Sequence, residues 1–550
     1  MTKIKKGKFD TDFIENIKEE KFIDDWPVVY ILNNEKEVYI GETVNIITRT
    51  KNHLQNAKRQ NLKEVHVLSD ETFNKSAVLD IESFLIKHMA ADGLFELQNS
   101  NGGISSHDYY DREKYKEKFK DIWRDLKREE LVKSDLHEIQ NSNLFKYSPY
   151  KSLTDDQTEA LTYILNDLIH HKENGTPGTT IVSSEAGTGK TVLAVYIMKL
   201  ISDINEERLS FEDEDNVDEK IDIYAESNYL KGMKIGLVIP MQSLRETLKN
   251  VFEFVKGLNR EMIIGPNEVP DRNYDLLVVD EAHRLQRRWA LHHYKKFDEN
   301  NKKLGLGEEG TELDWILRCS KNQIFFYDAT QSVRPSDISK KDFDRLIQKE
   351  ATYVHYLNSQ LRCEGGSDYV DYIKKILSDD PPEEKKDFGE YEFKLFDDAD
   401  EMINAIKEKD KEFGLCRTVA GFSWKWTKKN KEANDIKIGN KAYKWNTAQK
   451  DWPNSPNSIN EIGCIHTIQG YDLNYTGVIL GNEIKYDDSR HIYIDKTQYY
   501  DQRGKCTNGD EEALKEHILN IYYTMLTRGI KGTYVFACDE GMREYLKKYF

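Results

Sequence analysis

The stretch that most constrains this chain is Thr179-Thr-Ile-Val-Ser-Ser-Glu-Ala-Gly-Thr-Gly-Lys-Thr191. An apolar run enters a loop bearing Gly187 and Gly189, closes on Lys190 and Thr191, and passes into a helical pattern. It reads as strand, phosphate loop and helix, the opening of a parallel α/β sheet. Nucleotide phosphates need backbone N–H groups converging at a helix N-terminus, a cation, and a hydroxyl for Mg²⁺. Gly187, Thr188 and Gly189 bring the backbone close, Lys190 reaches the β and γ phosphates, and Thr191 ligates the metal. The expected cofactors are therefore ATP and Mg²⁺. Ser184 stands where the pattern G-x-x-x-x-G-K-[ST] has its first glycine.

At 550 residues the chain has room for three or four compact units at about 150 residues each. No run approaches the ~18 apolar residues of a membrane span, and the first eight residues lack the apolar core of a signal peptide. A cytoplasmic protein with no membrane partner is expected. Six cysteines lie scattered without a C-x-x-C pair, which argues against a disulfide framework or a structural zinc site. The net charge of -17 sits awkwardly with a nucleic-acid partner. Much of the excess falls in runs such as Glu206 to Glu219 and Asp379 to Glu384, which leaves a basic groove possible elsewhere.

Other segments complete a nucleotide site. Gln157, about thirty residues ahead of the loop, has the paired donor and acceptor to read an adenine edge. The apolar strand Tyr274 to Val279 delivers Asp280, placed to hold Mg²⁺ through water, and Glu281, placed to orient or deprotonate the attacking water. A third strand ends near Gln331, where a γ-phosphate sensor belongs. Downstream come Asn358-Ser-Gln-Leu-Arg362, His466-Thr-Ile-Gln-Gly-Tyr-Asp472 and Tyr522-Tyr-Thr-Met-Leu-Thr-Arg-Gly529. Together these motifs resemble the superfamily 1 helicases, and most closely their Schlafen-like branch, over about 400 residues. The resemblance implies two RecA-like domains with ATP in the cleft, Arg362 and Arg528 reaching the γ-phosphate, Gly470 in the nucleotide set, and Thr467, Gln469 and Asp472 coupling strand contact to the cleft.

The N-terminal region carries Val28-Val29-Tyr30, a turn on Asn33-Asn34, and Tyr39-Ile40-Gly41, the signature of a β-hairpin. Arg49 and His53 follow on one helix face, then Glu82 in an amphipathic stretch, then Asn99. This series resembles the GIY-YIG endonucleases, with Val28 and Val29 in place of Gly and Ile. The resemblance implies phosphodiester hydrolysis by water with one divalent cation. Glu82 would hold Mg²⁺, and Arg49 would meet the charged phosphate as a guanidinium fork. By resemblance Tyr30 is the base or water-orienting group, assisted by Tyr39 and His53. Residues 108 to 150 are charged and helix-prone, with Tyr115, Phe119 and Trp123 on one face, a packing stripe.

The expected fold is α/β: a small α+β GIY-YIG nuclease domain (1–107), a helical connector (108–150), a first RecA-like domain (151–345) with an acidic insertion near 203–230, and a second (346–550). The expected function is an ATP-dependent nucleic-acid helicase or translocase fused to a metal-dependent endonuclease. DNA stands ahead of RNA as partner, and resemblance suggests defence against phage DNA. A homo-oligomer or a defence partner stays open. The rivals are a non-unwinding, ATP-gated switch and a nucleic-acid-binding scaffold with idle sites.

Overall fold

A computed structural model of the chain describes all residues except 1, 100–110, 152, 186, 209–226, 292–293, 358, 361, 427–433, 440, 449–450 and 507–509. Most of the acidic insertion, and Asn358 and Leu361, thus lie outside the described residues. The chain divides into two compact units: Met1–Leu161, Thr191–Gly232 and Leu248–Glu261 in the first, and Thr162–Lys190, Met233–Thr247 and Met262–Phe550 in the second.

The first unit is built on a five-stranded sheet in the order β1-β4-β2-β3-β5, with ranges β1 (Lys3–Lys8), β2 (Val28–Asn33), β3 (Glu37–Thr43), β4 (Glu64–Ser69) and β5 (Glu96–Leu97). The β2–β3 hairpin forms as expected, in antiparallel register with Tyr30 opposite Gly41. Asn34 makes the turn: its side-chain oxygen accepts the N–H groups of Lys36 and Glu37, both at 2.7 Å, an Asx turn. Tyr30, Tyr39, Val65 and Val67 form a core with Phe13, Ile17 and Ile46 from the helices Thr11–Ile17 and Ile46–Gln55. The helix Lys75–Asp92 is capped by Asn74, which accepts the Ala77 N–H at 2.9 Å, and ends at Gly93 with φ 63°, a left-handed turn that suits glycine. Along the helix Arg112–Arg128 the aromatic stripe is buried, and Phe119 stacks on Phe84 with ring centroids 4.8 Å apart. Packing explains the stripe, as its helical spacing predicts.

The second unit holds two sheets. One contains six parallel strands in the order β11-β6-β10-β9-β7-β8, with ranges β6 (Gly178–Ser184), β7 (Ile235–Val238), β8 (Ile263–Ile264), β9 (Tyr274–Val279), β10 (Ser320–Tyr327) and β11 (Thr352–Leu357). Its central strands are near-continuously apolar because both faces are covered. The expected boundary at 345/346 needs correction: β11 pairs with β6 and belongs to this first sheet. The other sheet has the order β12-β20-β17-β13-β16-β15-β14, parallel apart from the β14–β15 pair. Its strands are β12 (Glu392–Leu395), β13 (Arg417–Ala420), β14 (Ile436–Ile438), β15 (Lys441–Trp445), β16 (Glu461–Gly463), β17 (Leu473–Leu480) and β20 (Gly529–Ala537), with a β18–β19 hairpin (Ile484–Asp487, His491–Ile494) apart. In parallel sheets ligands gather beyond the carboxyl ends of the strands. There β6 runs into Glu185, β9 into Asp280 and β10 into Asp328. No described helix is long and apolar enough to cross a membrane. All six cysteines are free thiols.

Candidate functional site

After β6 the backbone turns through two left-handed glycines, Gly187 at φ 91° and Gly189 at φ 81°, and Lys190 opens the helix Lys190–Asn205. Thr191 is that helix's second residue. A Cβ at Gly187 would stand 1.9 Å from Oε1 of Gln360, so space as well as φ demands glycine. Ser184, by contrast, is an ordinary strand residue. The Lys190 ammonium, buried, donates to the carbonyls of Ser184 at 3.2 Å and Glu185 at 2.6 Å and lies 3.4 Å from Asp328 Oδ2. Thr188 caps the turn by donating to the Glu185 carbonyl at 3.2 Å.

Acidic groups gather at the neighbouring strand ends. Asp280 is fully buried, and its Oδ1 accepts the Glu281 N–H at 2.9 Å. Glu281 adopts a left-handed conformation (φ 52°, ψ 45°), a strain that residues at functional sites often bear. Its carboxylate is 2.9 Å from His283 Nε2. Burial opposes its charge, yet His283, Lys190 and Arg528 outweigh burial and hold it well below the usual carboxylate range. Asp328 stands at the end of β10, three residues before Gln331, where a γ-phosphate sensor is expected. Burial works against its charge too, but Lys190, His283, Thr330 and Gln331 hold its carboxyl low. Gln331 donates to Asp328 Oδ2 at 2.6 Å and accepts from Arg528 Nη2 at 3.1 Å. A continuous line therefore runs Lys190, Asp328, Gln331, Arg528. Its signal in the sequence was the position of Asp328 at the end of a parallel strand.

The other residues divide. The Arg362 N–H donates to the Gly187 carbonyl at 3.1 Å, while its guanidinium pairs with Asp472. Gly470, at φ 87°, packs against Met241 and Leu244 of the first-sheet domain, and Tyr471 meets Thr247 at 3.3 Å. Gln469 is buried with neither amide atom hydrogen-bonded among the described residues. Thr467 is occupied with a turn, its hydroxyl bonding the Cys464 N–H and carbonyl at 3.0 and 2.8 Å. Gln157 sits in the first turn of the helix Asp155–Glu173. Its side-chain oxygen accepts the Thr154 N–H at 3.2 Å, and Thr154 Oγ1 accepts the Gln157 N–H at 3.3 Å, a capping box.

In the small sheet a second constellation assembles. The Tyr30 hydroxyl lies 2.7 Å from His53 Nε2, and Arg49 Nε donates to it at 3.1 Å. The Tyr39 ring meets His53 edge-on at 5.1 Å and carries the Arg59 guanidinium over its face at 3.8 Å. A Cβ on Gly41 would stand 2.3 Å from the Tyr30 hydroxyl, the reason for glycine there. Burial pushes the Tyr30 phenol well above its ordinary value and lowers His53 to about 3, helped by Arg49 and Arg59, so His53 is neutral near pH 7. Burial and the charge of Glu42 raise Glu82 to about 8. Asn99 has a structural part: its amide bonds both the N–H and the carbonyl of Ile40, at 3.1 and 2.7 Å. The sequence thus found Tyr30, Tyr39, Arg49 and His53 as one cluster. Among the described residues no group of three or more His, Cys, Asp or Glu is set to hold a metal. Carboxylate oxygens remain, the donors Mg²⁺ accepts: Glu82 in the first unit and Asp280 in the second.

The model of the Schlafen group 3 DNA/RNA helicase domain matches residues 177–539. The chain belongs to this family. The Schlafen group 3 match takes in the glycine loop before Lys190, Asp280, Glu281, Gln331, Arg362, Gly470 and Arg528, and leaves the small sheet outside it. The chain is also similar to the uncharacterized protein YPL245W of Saccharomyces cerevisiae, 25% identical over 424 residues, 70% of this chain and 87% of that protein. Among solved structures it is similar to a Pif1 helicase from work on DNA unwinding at forked duplex DNA (11% identity, 70% of this chain and 92% of that chain, TM-score 0.26). Another is PCH-2 of C. elegans (12% identity, 42% and 49%, TM-score 0.16). At such scores neither structure bears on the argument.

This Schlafen group 3 domain also has a groove of about 900 Å³ beside the Asp328–Gln331 turn, bordered by Arg334, Lys340, Lys341, Arg345 and the ring of Trp289. Its lining holds six Arg or Lys and five Asp or Glu; Arg284 pairs with Asp337 at 2.7 Å and Asp298 pairs with Arg288 at 2.7 Å. In a chain of net charge -17 a lining this close to charge balance stands out from the acidic whole.

Proposed function

We propose that the chain is an ATP-driven nucleic-acid helicase or translocase carrying a GIY-YIG-type endonuclease at its N-terminus. In this reading the nuclease spans 1–107, the connector 108–150, the first RecA-like domain 151–357 and the second 358–550. The observation that carries the motor is the line from Lys190 through Asp328 and Gln331 to Arg528, because it joins the lysine of the phosphate loop to an arginine of the other sheet. Lys190 binds the β and γ phosphates of ATP, giving up its loop carbonyls. Glu281, ionised and held by His283, orients the attacking water, and Arg528 meets charge building on the γ-phosphate. Asp280 would hold Mg²⁺ through water. The groove beside Trp289 is the path of a single strand, with lysines and arginines on phosphates and the indole stacked on a base.

The relay of Arg49, Tyr30 and His53 supports the nuclease. Neutral His53 takes the proton, Tyr30 passes it on from water, and Arg49 faces the phosphate. Glu82 holds Mg²⁺, which when bound neutralises charge on the phosphate. A part in clearing foreign DNA rests on analogy alone. ATP turnover with single-stranded DNA, duplex DNA and RNA side by side tests the motor: no stimulation by any of them overturns it. Mg²⁺-dependent cleavage lost in Glu82→Ala and retained in Glu281→Gln supports the nuclease; cleavage unchanged in Glu82→Ala rejects it.

A second reading, the ATP-gated switch without unwinding, has an observation in its favour. In the first unit a pocket of about 310 Å³ brings Lys199 and Asp203, on the helix that opens at Lys190, together with Arg59 and Gln98. Arg59 is bonded to Gln98 at 2.7 Å and stacked on Tyr39. Strand displacement by a nuclease-blocked Glu82→Ala variant separates the two readings.

A further inference from the structure

Glu42 follows Gly41 on β3 and is only 6% exposed. Its two carboxylate oxygens have different fates. Oε1 takes the Lys75 ammonium at 2.5 Å, whereas Oε2 is buried with no hydrogen-bond partner among the described residues. Glu82 stands on the helix Lys75–Asp92 seven residues beyond Lys75, on the same face, and that helix packs against β3, which carries Glu42. A buried carboxylate oxygen without a donor is costly. A cation there removes that penalty. The Lys75 ammonium reaches one oxygen of Glu42 from a side chain that is 45% exposed, so it can leave for solvent.

We propose that Glu42 and Glu82 together hold the divalent cation of the small sheet, with the Lys75 ammonium as the internal counter-ion that withdraws when the metal arrives. This rests on the nuclease reading of that site. It adds a carboxylate that the family resemblance did not supply, and it makes the site a paired-oxygen one suited to Mg²⁺ or Mn²⁺.

The test uses Mn²⁺ as probe, with free Mn²⁺ followed by electron paramagnetic resonance. The protein is the nucleotide-free full chain carrying Asp280→Asn, which removes the buried carboxylate near the phosphate loop. Glu42→Gln and Glu82→Gln should each weaken Mn²⁺ binding by about tenfold or more, a loss that even outer-shell changes at metal sites reach. Lys75→Met should tighten it several-fold, because the competing ammonium is gone. Mn²⁺ affinity within twofold of the parent in Glu42→Gln, alongside its loss in Glu82→Gln, overturns the proposal, as does absence of a site in the parent. Should Glu42→Gln melt early, Lys75→Met decides: unchanged or weaker affinity rejects the exchange. The outcomes stay separate from the nuclease reading. Binding that needs both carboxylates in a protein that cuts no strand keeps this inference and sinks the nuclease; cleavage with affinity indifferent to Glu42 does the reverse.

Discussion

Arg528 donates through Nη2 to Gln331 Oε1 at 3.1 Å, across 197 residues of chain, with both side chains buried. Gln331 turns its amide nitrogen to Asp328 at 2.6 Å, and Asp328 lies 3.4 Å from Lys190, so two side chains stand between the lysine of the loop and the arginine.

Arg528→Ala is therefore expected to cut single-turnover ATP hydrolysis by about 10³-fold or more, the lower range for arginines acting on a γ-phosphate. Binding of a non-hydrolysable analogue should change only a few-fold. Gln331→Ala should give a milder loss of the same kind. Equal losses of binding and turnover in Arg528→Ala would mark a structural contact instead.

Lys190→Ala and Glu281→Gln should fail differently. The first removes the loop's cation and with it nucleotide affinity. The second keeps shape but removes the ionised group beside His283, leaving binding intact and hydrolysis at least about 10²-fold slower. Analogue titration and phosphate release on both variants check this, and parental hydrolysis in either one refutes the assignment.

Glu312 offers a pH test away from the sites. Burial raises its carboxyl to about 8, against the Gln286 N–H that donates to it at 2.8 Å. A carboxyl raised on folding binds its proton more tightly in the native state, so its contribution is full below about 4.5 and is lost as pH climbs to about 8. Glu312→Gln should gain on the parent over that interval, its melting temperature pulling ahead by a few degrees, on the order of 1 kcal/mol. A difference that stays flat from pH 5 to 8.5 would contradict it.

The groove predicts a salt signature. Replacing Lys340 and Lys341 with alanine should weaken single-strand binding and lower the slope of log K against log salt by about 0.7 for each phosphate that no longer meets a lysine. Trp289→Ala should cost about 1–3 kcal/mol with little change in slope, the mark of a stacked base. Slopes and affinities equal to the parent in both variants place the strand elsewhere.

How far the chain could be read in advance depended on whether the deciding contacts were local. The strand, glycine turn and helix around Lys190, the β2–β3 hairpin and the aromatic stripe of Tyr115, Phe119 and Trp123 are set by neighbours a few residues apart, and these emerged directly. Tyr30, Arg49 and His53 span 23 residues at most, and their meeting followed from a hairpin and one helix. The edge placement of β11 did not, because strand order in a parallel sheet differs from chain order and a short apolar run carries no address. Gln157 shows the reverse: its capping role was local and readable as Thr154-x-x-Gln157, yet only the long-range role at an adenine edge was read from it.

The strand conformation of Ser184 and the left-handed turns at Gly187 and Gly189 bear on how relatives are to be found. Position 184 makes no backbone demand that only glycine can meet, so descendants are free to drift there. Positions 187 and 189 have no such freedom, and at 187 the side chain of Gln360 closes off even the room for a methyl group. A genome search that insists on the first glycine would discard chains whose loops fold as this one does. One that relaxes it and holds to the later pair with Lys190 would recover them.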